Sequence, residues 1–355
     1  MRKYNFSSGP AVLPMAVLQQ SAAGIQELAH QGVSIAEISH RDHLFIDILE
    51  EILAIFHELL QLSDEHEVII LQGGARLQFA QIPMNFLLKD ETAGFVDSGY
   101  WAHKAMEYAH YFGQTRLVGS SASDSYHSLP VLDNDTHDLK YIQLTSNNTI
   151  YGTQYRQLPR VKRPLIVDMS SDILSIQRDF SQIDLAFACA QKNIGPAGLS
   201  VVIVKKSFLE KATQQVPPVF SYKNLAAKRS NYATPPVVNV YMSLLNLRWL
   251  KKQGGVAEIA KINDEKASLL YTEIDRNPLL YCPVQPSDRS RMNVCFKAIN
   301  RETENKFLQF CADRDIVGIK GHAAAGAMRA SIYNAQSLEN VQYLISVMRE
   351  FEQQF

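Results

Sequence analysis

The stretch IDLAFACAQKNIGPAGLSVVIVKK, residues 183–206, decides how the chain is read. Two short apolar runs, LAFACA and LSVVIV, flank a single lysine and two small-residue turns. Near-continuous apolar runs of this length are the mark of buried parallel strands, whose two faces are both covered. Lys192 then stands at the C-terminal end of a buried strand, the place where ligands bind in open α/β sheets. Partial desolvation there disfavours the charged amine and makes it a better nucleophile. Gly195, Ala197 and Gly198 let backbone come close to a bound group. The competing reading is a surface lysine that opens a loop, and for a lysine taken alone it is the commoner one.

Working outward, EVIILQ (67–72), TAGFVD (92–97), LKYIQLT (139–145) and RPLIVDMS (163–170) are further short apolar runs. Residues 45–62 carry apolar side chains at helical spacing. A helical stretch follows Gly73-Gly74-Ala75 until Pro83 breaks or kinks it. Residues 98–112 read as a turn and a helix. Strands alternating with helices predict an α/β fold with right-handed crossovers. Helical patterns at 235–252 and 256–275 are separated by Gly254-Gly255. Beyond them the texture changes to strand, helix, strand, strand, helix, a small α+β unit. We place a boundary at that glycine pair.

The length of 355 residues suits two domains, or one large α/β domain with an appendage. A net charge of -1 gives no bulk field for nucleic acid or an anionic membrane, so neither is an expected partner. Any anion must be held by local cations. No run approaches the ~20 apolar residues of a membrane span, and the N-terminus lacks the apolar core of a secretory signal. Four scattered cysteines fit reduced thiols in the cytoplasm. Dinucleotide, P-loop, zinc-protease and serine-hydrolase fingerprints are missing. His40 and His43 lack completing ligands, so no metal is expected. The acidic 133–138 stretch reads as a solvated turn rather than a calcium loop.

Three features favour chemistry at Lys192. Asp168 ends an apolar strand one strand earlier, where a carboxylate needs a partner such as a protonated pyridine nitrogen; a helix N-cap is its strong competitor. QGGARLQF (72–79) opens a helix whose free N–H groups and dipole suit a phosphate. Trp101 follows another strand and could stack on an aromatic ring, although a buried tryptophan is more often plain core. Together these are the parts for pyridoxal phosphate.

The chain resembles the phosphoserine aminotransferase family of class V, fold-type I pyridoxal-phosphate enzymes. The stretches that carry the likeness run from end to end: NFSSGPAVLP, SHR, LQGGARLQFAQIPMN, DSGYW, SNNTIYGT, DMSSDILS, AQKNIGPAGL, TPPV, GGVAEI, RSRMNV and MRASIYNA. The resemblance implies a large domain with a mostly parallel mixed sheet flanked by helices, and a small C-terminal α+β domain. Residues 1–15 would contribute to the substrate site, 16–254 would form the cofactor domain and 255–355 the small domain. Pyridoxal 5'-phosphate would be the cofactor, held by Lys192 as an internal aldimine. Asp168 would keep the ring nitrogen protonated, Trp101 would stack on the ring, and Thr149 would touch its polar edge. Ala75, Arg76 and Gln191 would bind the phosphate, joined by Thr234 from the other subunit of a homodimer. Ser8, His40, Arg41, His322 and Arg329 would surround the substrate. Period-two alternation puts Arg329, Ser331 and Tyr333 on one face, where Arg329 could clamp a carboxylate. The implied reaction is ping-pong exchange between glutamate/2-oxoglutarate and 3-phosphohydroxypyruvate/O-phosphoserine, with 4-phosphohydroxythreonine of pyridoxine biosynthesis as a further substrate.

Two positions depart from the family pattern. The family reads K-G-H-R where this chain has KGHAAAG, so Ala323 replaces an arginine that helps hold substrate phosphate. It also reads N-T-P-P where Ala233 precedes Thr234. Losing one charge-assisted hydrogen bond, worth ~1.5–3 kcal/mol, would weaken phosphorylated-substrate binding roughly 10–100-fold, with Lys320 or Arg76 compensating in part. The departures leave open a fold-type I aminotransferase with altered preference for a non-phosphorylated amino acid. A catalytically silent binding protein has no chemical need for Lys192, Asp168 and Arg329 together.

Overall fold

The computed structural model describes every residue except Met1, Asn134 and Gln214. The readings of the 133–138 stretch and of the 1–15 segment therefore lie partly outside the described residues. The strands are β1 (Tyr4–Asn5), β2 (His66–Gln72), β3 (Thr92–Asp97), β4 (Gln114–Ser120), β5 (Ile142–Thr145), β6 (Leu165–Asp168), β7 (Leu185–Cys189), β8 (Leu199–Lys205), β9 (Leu280–Tyr281), β10 (Asn293–Ala298), β11 (Ile316–Val317) and β12 (Met328–Ser331). The helices are α1 (Met15–Gln26), α2 (His43–Leu60), α3 (Ala75–Phe86), α4 (Tyr100–Ala109), α5 (Lys206–Leu209), α6 (Tyr222–Ala227), α7 (Val237–Lys252), α8 (Gly255–Arg276), α9 (Arg301–Ala312) and α10 (Leu338–Gln354).

Seven strands form the main sheet in the order β2-β8-β7-β6-β5-β3-β4. Neighbours from β7 to β4 run parallel. β8 is the exception, antiparallel to both β2 and β7. The loop of residues 190–198 is too short for a crossover, so the chain turns straight back beside β7. Side chains alternate between two cores, as strand geometry requires. Val167, Ala186, Ala188 and Val201 join the core under α2 and α7. Ile166, Phe187, Cys189 and Val202 join the core under α3 and α4.

Pro83 does not end α3, which runs on to Phe86. The last turn is held by Asn85 Nδ2 donating to Gln81 O at 2.9 Å. Phe86 stacks on Phe208 with ring centroids 4.4 Å apart. That buried packing offsets the bond the proline removes.

A third core gathers Phe6, the second half of α8, β10, β12, α9 and α10. There β9, β10 and β12 form an antiparallel sheet. β1 pairs in parallel with β11, which ties the N-terminus to the C-terminal third. Asp42 caps α2, its carboxylate accepting from Leu44 N at 2.9 Å. The apolar stripe of that helix, including Phe45, Ile52 and Phe56, is buried against the first core.

Candidate active site

The C-terminal ends of β5, β6 and β7 open into one cavity of about 230 Å³. Register explains the convergence: Thr145 pairs with Asp168, so β5 and β6 stop level, and Asp168 pairs with Phe187, two residues before β7 ends at Cys189. Asp168, Lys192, Gln191, Thr149, Trp101, Ala75 and Arg76 all line this cavity. A larger open groove of about 1140 Å³ adjoins it and shares Arg76.

Asp168 is buried, and burial pushes its carboxyl above the usual range against the pull of Ser170 and Lys192. It is not a helix cap. One oxygen accepts from Ser170 N at 2.9 Å, an Asx turn inside DMSS. Lys192 makes no ion pair among the described residues; its Nζ donates to Thr149 Oγ1 at 2.8 Å. The sequence predicted an amine depressed by desolvation. Burial does oppose the ammonium, but Tyr333, Cys189 and Asp168 outweigh it, and Lys192 lies above the usual lysine range. A protonated amine must shed its proton before it can attack a carbonyl carbon.

The other walls suit an aromatic phosphate ester. Gly74 precedes α3 without a side-chain cap, which leaves the first N–H groups of that helix free for an anion. Gln191 Oε1 is buried without a partner. Trp101 sits on α4, with the Arg76 guanidinium 5.1 Å from its ring. Gly99, with φ of 136°, starts α4 where a Cβ would fall 2.5 Å from Asn148 Nδ2. Buried carboxylate, lysine and uncapped helix start together fit pyridoxal 5'-phosphate.

A second ring of polar groups stands outside this cavity. Arg329 is 8% exposed and makes no ion pair among the described residues. Its Nη1 donates to Thr149 O at 3.0 Å and its Nη2 to Ser8 Oγ at 2.6 Å, while Nε has no partner. A buried guanidinium without a counter-charge is costly unless an anion joins it. Ser8 arrives on the N-terminal segment, which crosses Lys192: Ala11 N donates to Gln191 O at 2.9 Å. A Cβ on the neighbouring Gly9 would stand 3.5 Å from Lys192 Cγ. His322 is exposed, its ring 5.6 Å from that of Tyr100.

His40, Arg41 and Thr234 do not line the cavity of their own chain. His40 O accepts from Asn231 Nδ2 at 2.8 Å, and Thr234 O from Gln72 Nε2 at 2.5 Å. Thr234 stands between Ala233 and Pro235, which line an apolar groove of about 410 Å³ together with Leu77 and Phe220.

Sequence reasoning missed Ser170 and the part played by Tyr333. Tyr333 Oη donates to Ser8 O at 2.9 Å and accepts from Asn293 Nδ2 at 3.1 Å. The signals were present: a serine two residues after Asp168, and Tyr333 on the strand face of Arg329.

The family model for aminotransferase class V matches residues 3–344. A phosphoserine aminotransferase of Flavobacterium psychrophilum is 43% identical over 353 residues, covering 99% of this chain and 99% of that protein. The solved phosphoserine aminotransferase of Bacillus circulans subsp. alkalophilus superposes with a TM-score of 0.96 at 38% identity, covering 99% of each chain. The PLP-bound phosphoserine aminotransferase of Trichomonas vaginalis gives a TM-score of 0.94 at 33% identity, covering 98% of this chain and 100% of that one.

Proposed function

The chain belongs to the class-V aminotransferase family, and from that premise we propose that it moves an amino group between glutamate and 3-phosphohydroxypyruvate. The products are 2-oxoglutarate and O-phosphoserine, and the reaction is a step of serine biosynthesis. The observation that carries the chemistry is the meeting of buried Asp168 and Lys192 at adjacent strand ends beside the uncapped start of α3. The chain uses pyridoxal 5'-phosphate. When bound, that group supplies an electron sink for the pair left by the breaking α-C–H bond.

The chain's own residues do the rest. Backbone N–H groups of Ala75 and Arg76, with the Gln191 side chain, hold the phosphate. The Asp168 carboxylate would keep the ring nitrogen protonated, and Trp101 and Thr149, which line the same cavity, would help hold the ring. Lys192 Nζ takes the proton from the substrate α-carbon and later gives one back, base first and acid second. Arg329 and Ser8 hold the α-carboxylate, with His40, Arg41 and His322 around the distal anion. Both amino donors are multiply anionic, so a single cationic site serves them in alternation.

The high identity to phosphoserine aminotransferases over the full chain does not favour a non-phosphorylated substrate. A half-reaction titration that follows cofactor absorbance tests the point. O-phosphoserine and glutamate should convert the spectrum at micromolar to millimolar levels, serine and alanine far more weakly. Equal conversion by serine removes the phosphorylated-substrate reading.

The same reading makes the enzyme a homodimer. Support comes from Thr234, His40 and Arg41, which lie off their own chain's cavity, and from the apolar groove flanking Thr234, with its 56% exposed Leu77. It places the enzyme in the cytoplasm, in keeping with four free thiols; no helix among the described residues is long and apolar enough to cross a membrane. It extends to 4-phosphohydroxythreonine, whose distal phosphate matches that of phosphoserine. It divides the chain at Gly254-Gly255 into a cofactor domain and a small domain, with residues 1–15 serving the substrate site.

A further inference from the structure

Lys266 is fully buried, yet neither the catalytic chemistry nor any ion pair among the described residues uses it. It lies on α8, and its Nζ donates to three backbone carbonyls: Ile332 O at 3.0 Å, Tyr333 O at 2.8 Å and Gln336 O at 2.9 Å. All three belong to the turn that follows β12. Burial pushes the ammonium down to about 7, while the three carbonyl dipoles favour keeping it charged. A lysine is an expensive way to fill a core position. An apolar residue of equal length would fill the space but leave three buried carbonyls unpaired.

What the turn carries gives the expense a purpose. The Tyr333 hydroxyl donates to Ser8 O at 2.9 Å, and Ser8 Oγ accepts from Arg329 Nη2 at 2.6 Å. Arg329 reaches Thr149 O at 3.0 Å, and the Thr149 hydroxyl accepts from Lys192 at 2.8 Å. The next residue of the turn, Asn334, donates its N–H to Asn193 Oδ1 at 3.0 Å, and Asn193 directly follows Lys192. Asn334 Oδ1 accepts from Asn263 Nδ2 at 2.8 Å, from the same helix one turn before Lys266. The turn is thus tied both to the guanidinium and to the reactive lysine, and α8 grips it through two side chains.

We propose that Lys266 is a positioning residue for the substrate carboxylate: its Nζ, bonded to three carbonyls, gathers the 332–336 turn so that Tyr333, Ser8 and Arg329 stand at a fixed distance from Lys192. The proposal rests on the assignment of Arg329 to the substrate carboxylate. A displacement of about 1 Å in such a clamp is enough to cost one to two powers of ten in substrate use. No hydrogen bond among the described residues joins this turn to Asp168, Gln191 or the start of α3, which are assigned to the cofactor.

The experiment compares Lys266→Met, Lys266→Gln and Arg329→Lys holoenzymes by steady-state kinetics and cofactor absorbance. Lys266→Met should raise KM for glutamate about tenfold with kcat within about twofold, a shift in binding rather than in chemistry. Lys266→Gln, which keeps one amide donor for the carbonyls, should fall between wild type and Lys266→Met. Cofactor absorbance and content should match wild type in both, which also reports that the fold is intact. If Arg329→Lys raises KM while both Lys266 variants leave it unchanged, Lys266 is only a core residue and the proposal fails. If Arg329→Lys leaves KM unchanged, the carboxylate assignment falls and the proposal falls with it. If Lys266→Met does not fold, a wild-type KM in Lys266→Gln is by itself enough to reject the proposal.

Discussion

The two halves of the site are built differently. The half assigned to the cofactor ring and the proton transfer, Asp168, Lys192 and Thr149, sits at and just beyond buried strand ends, where Ser170 N bonds Asp168 and Lys192 bonds Thr149. The half assigned to the distal anion, His40, Arg41 and His322, sits on exposed or half-exposed loops. Proton transfer tolerates little error in distance, so its groups are held by the core. Anion recognition is longer in range and can be shared among several cations. Of the two departures, Ala323 falls in that second half, next to His322, while Ala233 stands beside Thr234, the residue assigned to the cofactor phosphate.

The comparison breaks first at the buried half. Lys192→Ala should lower kcat by at least about 10³-fold and abolish the cofactor's near-visible absorbance band. Retention of both band and turnover would remove Lys192 from the chemistry. Asp168→Asn keeps the shape and loses the charge, and should lower kcat by about 10²-fold with the cofactor still bound. The open half should give smaller effects. Ala323→Arg should lower KM for 3-phosphohydroxypyruvate by roughly tenfold, the worth of one charge-assisted hydrogen bond, and leave KM for glutamate nearly unchanged. An unaltered KM for the phosphorylated substrate would show that position 323 does not meet its phosphate.

The smallest effect concerns stability and pH. Lys266 is pushed down to about 7 in the fold and returns to the usual lysine value of 10.5 when unfolded. Between those values the unfolded chain binds more protons, so stability rises with pH across that window. Urea titrations of wild type and Lys266→Met at pH 6.5 and 9.5 should show the difference moving in favour of wild type at the higher pH, by up to a few kcal/mol. A difference that stays flat with pH would mean the carbonyls hold the ammonium fully charged throughout.

Much of this was legible in the sequence. The apolar runs named the strands, and Asp168 and Lys192 declared themselves by ending two of them. What was not legible came from long-range pairing. The antiparallel placement of β8 depends on the tightness of the 190–198 loop, not on the apolar pattern, which is the same for either direction. The raised Lys192 amine depends on Tyr333, which lies 141 residues away in the chain and is brought close only by the third core. Pro83 looked like a stop signal because local propensity says so. The stacking of Phe86 on Phe208 that overrides it is tertiary. Lys266 gave no local signal, since lysine on an amphipathic helix is ordinarily solvent-facing.

The pairing of β1 with β11 has a bearing on how the molecule is made. Tyr4 and Asn5 are synthesised long before their partners Ile316 and Val317. Strand β1 cannot pair until β11 has been made, so the segment that carries Ser8 to Lys192 is anchored only after every strand of the main sheet exists.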